Sequence, residues 1–222
     1  MKKFAVRLIT LLLCACLLCG SAAAYTIIDV DEDLSFSQDL KEKEDVSDWA
    51  KAEIDAARAA GLITEHTNEY MKRATTRFQF AELIVNLTEK VIGKAITPAP
   101  AGTFTDCDEL AVRKAYAAGI VNGMTADTFV PDATTNREQI ATMIYRAIRY
   151  IADETGTDLA PKAADISAFS DKDTVSSWAL EGVGRLASNG IMKGDSAITL
   201  SPKKSCTVEQ SILLVYRVYS AF

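Results

Sequence analysis

Arg77 and Arg137 each follow a residue that can cap a helix, Thr76 and Asn136. An arginine at the first position of a helix sets a planar fork of donors beside backbone amides that lack partners and carry a partial positive charge. The chemistry that suits such a place is the capture of an anion, above all a carboxylate. The plainer reading is a pair of solvated surface arginines. Glu138 follows Arg137 directly and joins the candidate set. Gly123 and Gly194 offer either backbone that a ligand can approach closely or a tight turn. Trp49 and Trp178 offer rings that stack on a sugar or plug a gap between elements, and packing is the first expectation.

Little else in the chain reads as reactive. His66 is the single histidine and has no cysteine cluster near it, so a surface role fits better than a metal ligand or a triad member. No phosphate loop, dinucleotide fingerprint or G-x-S-x-G occurs. Carboxylates are many, but nothing pairs two of them as acid and base. "DVDEDLSFSQDL", residues 29 to 40, alternates acids like a calcium loop, yet Leu34 and Leu40 stand at the turn and bidentate positions. The expectation is therefore no enzyme, no metal and no cofactor.

The elements that must position the candidates recur. Behind Asn136, apolar residues fall at Ile140, Ala141, Met143, Ile144, Ala147 and Ile151, the spacing of one helix face. The same register holds Phe80, Ala81, Leu83, Ile84, Leu87 and Val91, and again Ile212, Leu214, Val215, Val218 and Phe222, with Ser211 as the one break. Thr76, Asn136 and Thr207 occupy the cap position, and Gln79, Gln139 and Gln210 follow three residues later, a capping box for the two threonines. A shorter helix precedes each copy. Its aligned caps are Asp48, Asp106 and Ser177, and it ends at Gly61, Gly119 and Gly190. The chain thus reads as all-α, with three helix–loop–helix repeats over 45–93, 103–151 and 166–222. Linkers lie at 94–102 and 152–165, and a stacked core is shared between units too small to bury both faces alone. Repeat 1 departs in its loop: Glu65 replaces the second glycine, and no proline is present.

Residues 1–24 read as a secretory signal peptide: Lys2, Lys3 and Arg7, an apolar run from Ile9 to Cys19, then an A-x-A end. A lipoprotein site at Cys16 and an uncleaved anchor are the rival readings. Cleavage after Ala24 removes three positive charges from a chain whose formal charge is already −6. That acidity argues against nucleic acid, which needs a basic footprint. Residues 25–44 are an acidic, flexible lead-in. Cys107 and Cys206 remain, as two thiols or one bridge, with thiols favoured.

The order of these motifs resembles the S-layer homology (SLH) family. The resemblance rests on "FTD" at 104 and "FSD" at 169, "WA" at 49 and 178, "GIVNG" at 119 and "GIMKG" at 190. "FVP" at 129 and the helix starts "TRFQ", "NREQ" and "TVEQ" complete it. It implies a pseudo-threefold, mostly helical spindle whose inter-repeat grooves hold cell-wall polysaccharide without a covalent link. In many Gram-positive members that ligand is a pyruvylated secondary wall polymer; in some diderm relatives it is modified peptidoglycan. A ketal pyruvate is a carboxylate, so Arg77 and Arg137 fit the implication. Val208 replaces the arginine in repeat 3, and repeat 2, with the fullest loop, is expected to matter most. The alternative is a structural protein of the envelope whose repeats bind another surface protein, and a cell-wall enzyme is a weaker third. Either of the first two places the chain outside the cell, at the wall or surface.

Overall fold

The computed structural model describes residues 38–39 and 45–222. The signal peptide, the acid-rich segment at 29 to 40 and most of the lead-in lie outside the described residues, apart from Gln38 and Asp39. The chain divides into two units, Met1–Asp39 and Leu40–Phe222, and every helix named below belongs to the second. In chain order they are α1 (Lys51–Ala59), α2 (Arg77–Ile92), α3 (Leu110–Ala117), α4 (Arg137–Thr155), α5 (Leu180–Ser188) and α6 (Val208–Tyr219). Among the described residues there is no strand, only three isolated bridges.

Each long helix starts as its sequence dictates. Thr76, Asn136 and Thr207 accept the amide of the glutamine three residues on, and that glutamine returns a bond to the cap amide. The box at Asn136 is as complete as the threonine boxes. The predicted caps of the short helices do not act as caps. Ala50, Glu109 and Ala179 stand at those positions without side-chain cap bonds. Gly61, Gly119 and Gly190 do adopt the left-handed stop, with φ of 66°, 67° and 73°. α4 runs to Thr155, past the expected linker boundary, and ends at Gly156 with φ of 75°. α6 ends at Tyr219, so Phe222 falls beyond the helix and is exposed.

The main helix–helix contacts run between repeats. α2 packs against α3 of the next repeat, α4 against α5, and α6 against α1, which closes the cycle. α2 also contacts α4 and α6. The reason lies in the segments just before the long helices. Thr75 N–H donates to Cys206 O at 2.8 Å, Cys206 N–H to Thr135 O at 3.1 Å, and Thr135 N–H to Thr75 O at 2.9 Å. These three bonds form a closed ring, and the bridges 74–207, 76–134 and 136–205 repeat the same threefold relation. Ser211, the break in the apolar stripe, is fully buried beside this ring, and its Oγ lies 2.7 Å from Thr75 Oγ1. A buried hydroxyl needs such a partner. Both cysteines are free and buried. Burial pushes the Cys206 thiol up to about 11.

Candidate functional site

The first turn of each long helix is where an anion was expected, and its amides are already engaged. Arg77 N–H donates to Ala133 O and Phe78 N–H to Pro131 O; Arg137 and Glu138 N–H do the same to Lys204 O and Pro202 O. The third amide goes to the cap side chain. In repeat 3, Val208 and Glu209 N–H donate to Arg73 O and Met71 O. The helix starts therefore clasp the loop of the next repeat and have no free first-turn amide for a ligand.

The arginines take part in the same clasp. Arg77 donates from Nε to Phe129 O and from Nη2 to Asn122 O, each at 2.8 Å, and its guanidinium lies 4.4 Å from the Phe129 ring centre. Arg137 donates from Nε to Leu200 O at 2.7 Å and from Nη2 to Lys193 O at 2.8 Å. They are only 8% and 6% exposed, so the solvated-surface reading is excluded. Burial pulls the Arg77 guanidinium below its usual value, with Asp106 acting against that pull; it stays charged. One edge of each fork is occupied, so the two-pronged carboxylate contact expected there is not available on that edge. Nη1 of each has no hydrogen bond among the described residues.

The loops clasped by the three helix starts share one backbone feature. Tyr70, Val130 and Ser201 carry φ of 51°, 57° and 50°, a left-handed backbone that disfavours residues other than glycine. The aspartates of "FTD" and "FSD" hold two of these. Asp106 accepts from Phe129 and Val130 amides at 2.8 and 2.7 Å, and Asp171 from Leu200 and Ser201 amides at 2.9 and 2.7 Å. The Phe129 amide leads in drawing the Asp106 carboxyl below its ordinary value. Burial would raise that of Asp171, but the Leu200 and Ser201 amides with Arg137 outweigh it. Gly123 and Gly194 belong to the turn itself. A Cβ there would stand 2.3 Å from Thr125 O and 2.2 Å from Ser196 O, which explains the glycines without a ligand.

Glu138 is 2% exposed. Its carboxylate accepts from Ser176 N–H at 2.9 Å and Ser176 Oγ at 3.0 Å, and is paired with Lys203. Glu209 holds Ser47 in the same way. Glu138 therefore orients the approach to α5, and does not line either groove described below. The tryptophans reverse the packing expectation: Trp49 is 61% and Trp178 56% exposed.

Two grooves gather the other candidates. In one, Arg77, Asn122 and Gly123 face Gln139, Thr142, Met143, Arg146 and Trp178 around about 120 Å³. In the other, Arg137, Lys193, Gly194 and Asp195 face Gln210, Leu213, Leu214, Arg217, Trp49 and Glu53 around about 490 Å³. The same registers line both. Each groove takes its arginine from one repeat, its glycine loop and second helix from the next, and its tryptophan from the third. No groove belongs to one repeat, so the expected primacy of repeat 2 dissolves: its loop and its arginine serve different grooves. Arg146, Arg217 and Glu53 were not among the expected site residues. The recurrence of Tyr145-Arg146 as Tyr216-Arg217 was the signal for two of them.

The third junction differs. Val208 is buried where the arginine would be, and Cys107 stands in the tryptophan register. Gln79 Nε2 donates to His66 O at 2.7 Å, and Asn86 Nδ2 to Gly61 O and Leu62 O at 3.0 Å. His66 Nδ1 lies 3.1 Å from Glu82.

Residues 108–141 and 168–207 match the family model described as the S-layer homology domain. The chain carries S-layer homology domains. Such domains anchor proteins to the cell wall, and the anchoring module is not itself catalytic. Residues 45–93 fall outside the two matched stretches, yet share the SLH capping box, the left-handed glycine and the clasp. The chain is 30% identical over 104 residues to an endoglucanase of Bacillus sp. (strain KSM-635), covering 47% of the chain and 10% of that enzyme. It is 24% identical over 178 residues to exoglucanase XynX of Acetivibrio thermocellus, covering 78% of the chain and 16% of the relative. The same identity and span relate it to an amylopullulanase of Thermoanaerobacterium thermosulfurigenes, covering 9% of that enzyme. The chain therefore spans a small part of the length of each of these relatives, and the whole enzymes' activities do not transfer with the match.

Proposed function

We propose that this chain holds itself to the cell wall by binding an acidic wall glycan, without a covalent link, in the Trp178 and Trp49 grooves. The observation that carries the reading is the recurrence of one lining on two faces of the cycle: an exposed indole opposite a buried arginine, with a glycine loop between. An exposed indole provides an apolar face for a sugar ring, and leaving it uncovered has no packing benefit. Arg77 and Arg137 brace the loops and keep Nη1 for the ligand. The glycan is a secondary wall polymer, with a pyruvate ketal as the fitting source of acid. The protein is exported, acts by binding and is not an enzyme, and its acidic overall charge argues against nucleic acid as the ligand.

Co-sedimentation with purified sacculi, before and after chemical removal of the secondary polymer, tests this. Binding lost with the polymer is the expected result. Binding that persists assigns peptidoglycan as the ligand, and absence of binding to either favours an envelope protein partner.

A further inference from the structure

The two grooves share two arginines each but differ in their other charges: Glu53, Lys193 and Asp195 line the Trp49 groove alone, and the Glu53 difference is built into α1 and α5. In the Trp49 groove, Arg217 reaches across to Glu53: Nε to Oε2 at 2.8 Å and Nη2 to Oε1 at 3.1 Å, a two-pronged pair. Its remaining nitrogen donates to Ile191 O at 3.3 Å. The register that superposes Trp49 on Trp178 carries Glu53 onto Gly182. Gly182 is tightly packed, because a Cβ there would lie 3.1 Å from Thr142 Cα and 3.2 Å from Ala141 O, so a side chain would have to push the α4 backbone aside. Arg146, the counterpart of Arg217, is thus left without its acid. It lines the Trp178 groove half-buried and makes no hydrogen bond or ion pair among the described residues. No carboxylate lines that groove, while Arg77 adds a second positive charge to it.

We infer that Arg146 is the carboxylate-selecting residue of the chain, and that the Trp49 groove takes an uncharged part of the same polymer. The inference rests on the glycan reading above. The protein supplies its own picture of the contact: a ligand carboxylate at Arg146 takes the place that Glu53 takes at Arg217. A half-buried guanidinium with no partner among the described residues has its fork free for a ligand carboxylate, in a geometry that a single ammonium lacks. Lys193 at the edge of the Trp49 groove is exposed, so its charge attracts anions weakly and without orientation. The small volume of the Trp178 groove suits an acidic substituent, and the larger volume of the Trp49 groove suits sugar rings.

The chain has two tryptophans, one per groove, so each groove has its own fluorescent reporter. The full chain carrying Trp49→Phe reports on Trp178, and Trp178→Phe reports on Trp49. The probes are an N-acetylhexosamine disaccharide and the same disaccharide bearing a pyruvate ketal. The acidic sugar is expected to perturb Trp178, with its affinity falling about tenfold or more in Arg146→Gln and unchanged in Arg217→Gln. The neutral sugar is expected to perturb Trp49 and to be indifferent to Arg146→Gln. Glu53→Gln frees Arg217 and is expected to bring the acidic sugar to Trp49. Unchanged acidic-sugar affinity in Arg146→Gln, with helix content intact by circular dichroism, overturns the assignment. So does loss of that affinity in Lys193→Gln instead. If neither sugar binds the unaltered chain, the glycan reading itself falls, a result distinct from a failure of the charge assignment alone.

Discussion

Arg137 shows how one side chain can serve the fold and face a ligand at once. Its Nε and Nη2 bonds satisfy the carbonyls of Leu200 and Lys193, and its removal leaves those acceptors without their donor. Arg137→Ala is expected to lower stability by about 2 to 4 kcal/mol, read by chemical denaturation, so weaker wall binding in that variant will include a folding defect. Arg146 has no such duty and is the cleaner probe. Asp106 and Asp171 are the residues to watch in acid. Their carboxyls are held below the ordinary value of 3.8, so each contributes stability that is fully present above that value. That contribution is lost as pH falls through the depressed folded values. The melting temperature is therefore expected to drop as the pH falls below about 4, with a shallower drop in Asp106→Asn.

At the scale of elements, the glycine loop of repeats 2 and 3 is tightly constrained. It combines a left-handed residue at Val130 or Ser201, an aspartate that holds the amides there, and a glycine packed against the turn's own carbonyls. Gly123→Ala has to displace backbone at Thr125 rather than a mobile side chain. It is expected to cost about 1 to 3 kcal/mol by thermal melting. Repeat 1 makes the same junction by other means. A short 3-10 turn at Glu65–Thr67, closed by Thr64 and Thr67, replaces the glycine loop, and Val208 replaces the arginine that would have clasped it. The two departures meet at one junction: the loop carbonyls of repeat 1 are still clasped through the backbone of Val208 and Glu209, but no arginine side chain joins that clasp.

The described helices of the unit Leu40–Phe222 form a cycle in which each long helix packs on the next repeat's short helix. A fragment covering one repeat, 103–151, keeps α3 and α4 but loses α2 and α5, the helices they pack against. It is expected to show little helix by circular dichroism, while residues 45–222 together fold cooperatively. The stripes of α2, α4 and α6, their capping boxes and the left-handed glycines were legible in the sequence, because local bonding and helical spacing cause them. The all-α class followed from the same local signals. What only the tertiary structure decided was which repeat each side chain serves. Arg77 and Arg137 sit at helix starts in the sequence, but the amides beside them are consumed by a loop of the next repeat. Trp49 and Trp178 have the types of core residues, but the cycle leaves them outside, facing grooves built from two other repeats. Glu53 opposite Arg217, and Gly182 opposite Arg146, lie on elements far apart in the chain. Local pattern determines helices, because their bonds close within four residues. Partners across the ring are set by its closure, and no spacing within one repeat encodes that.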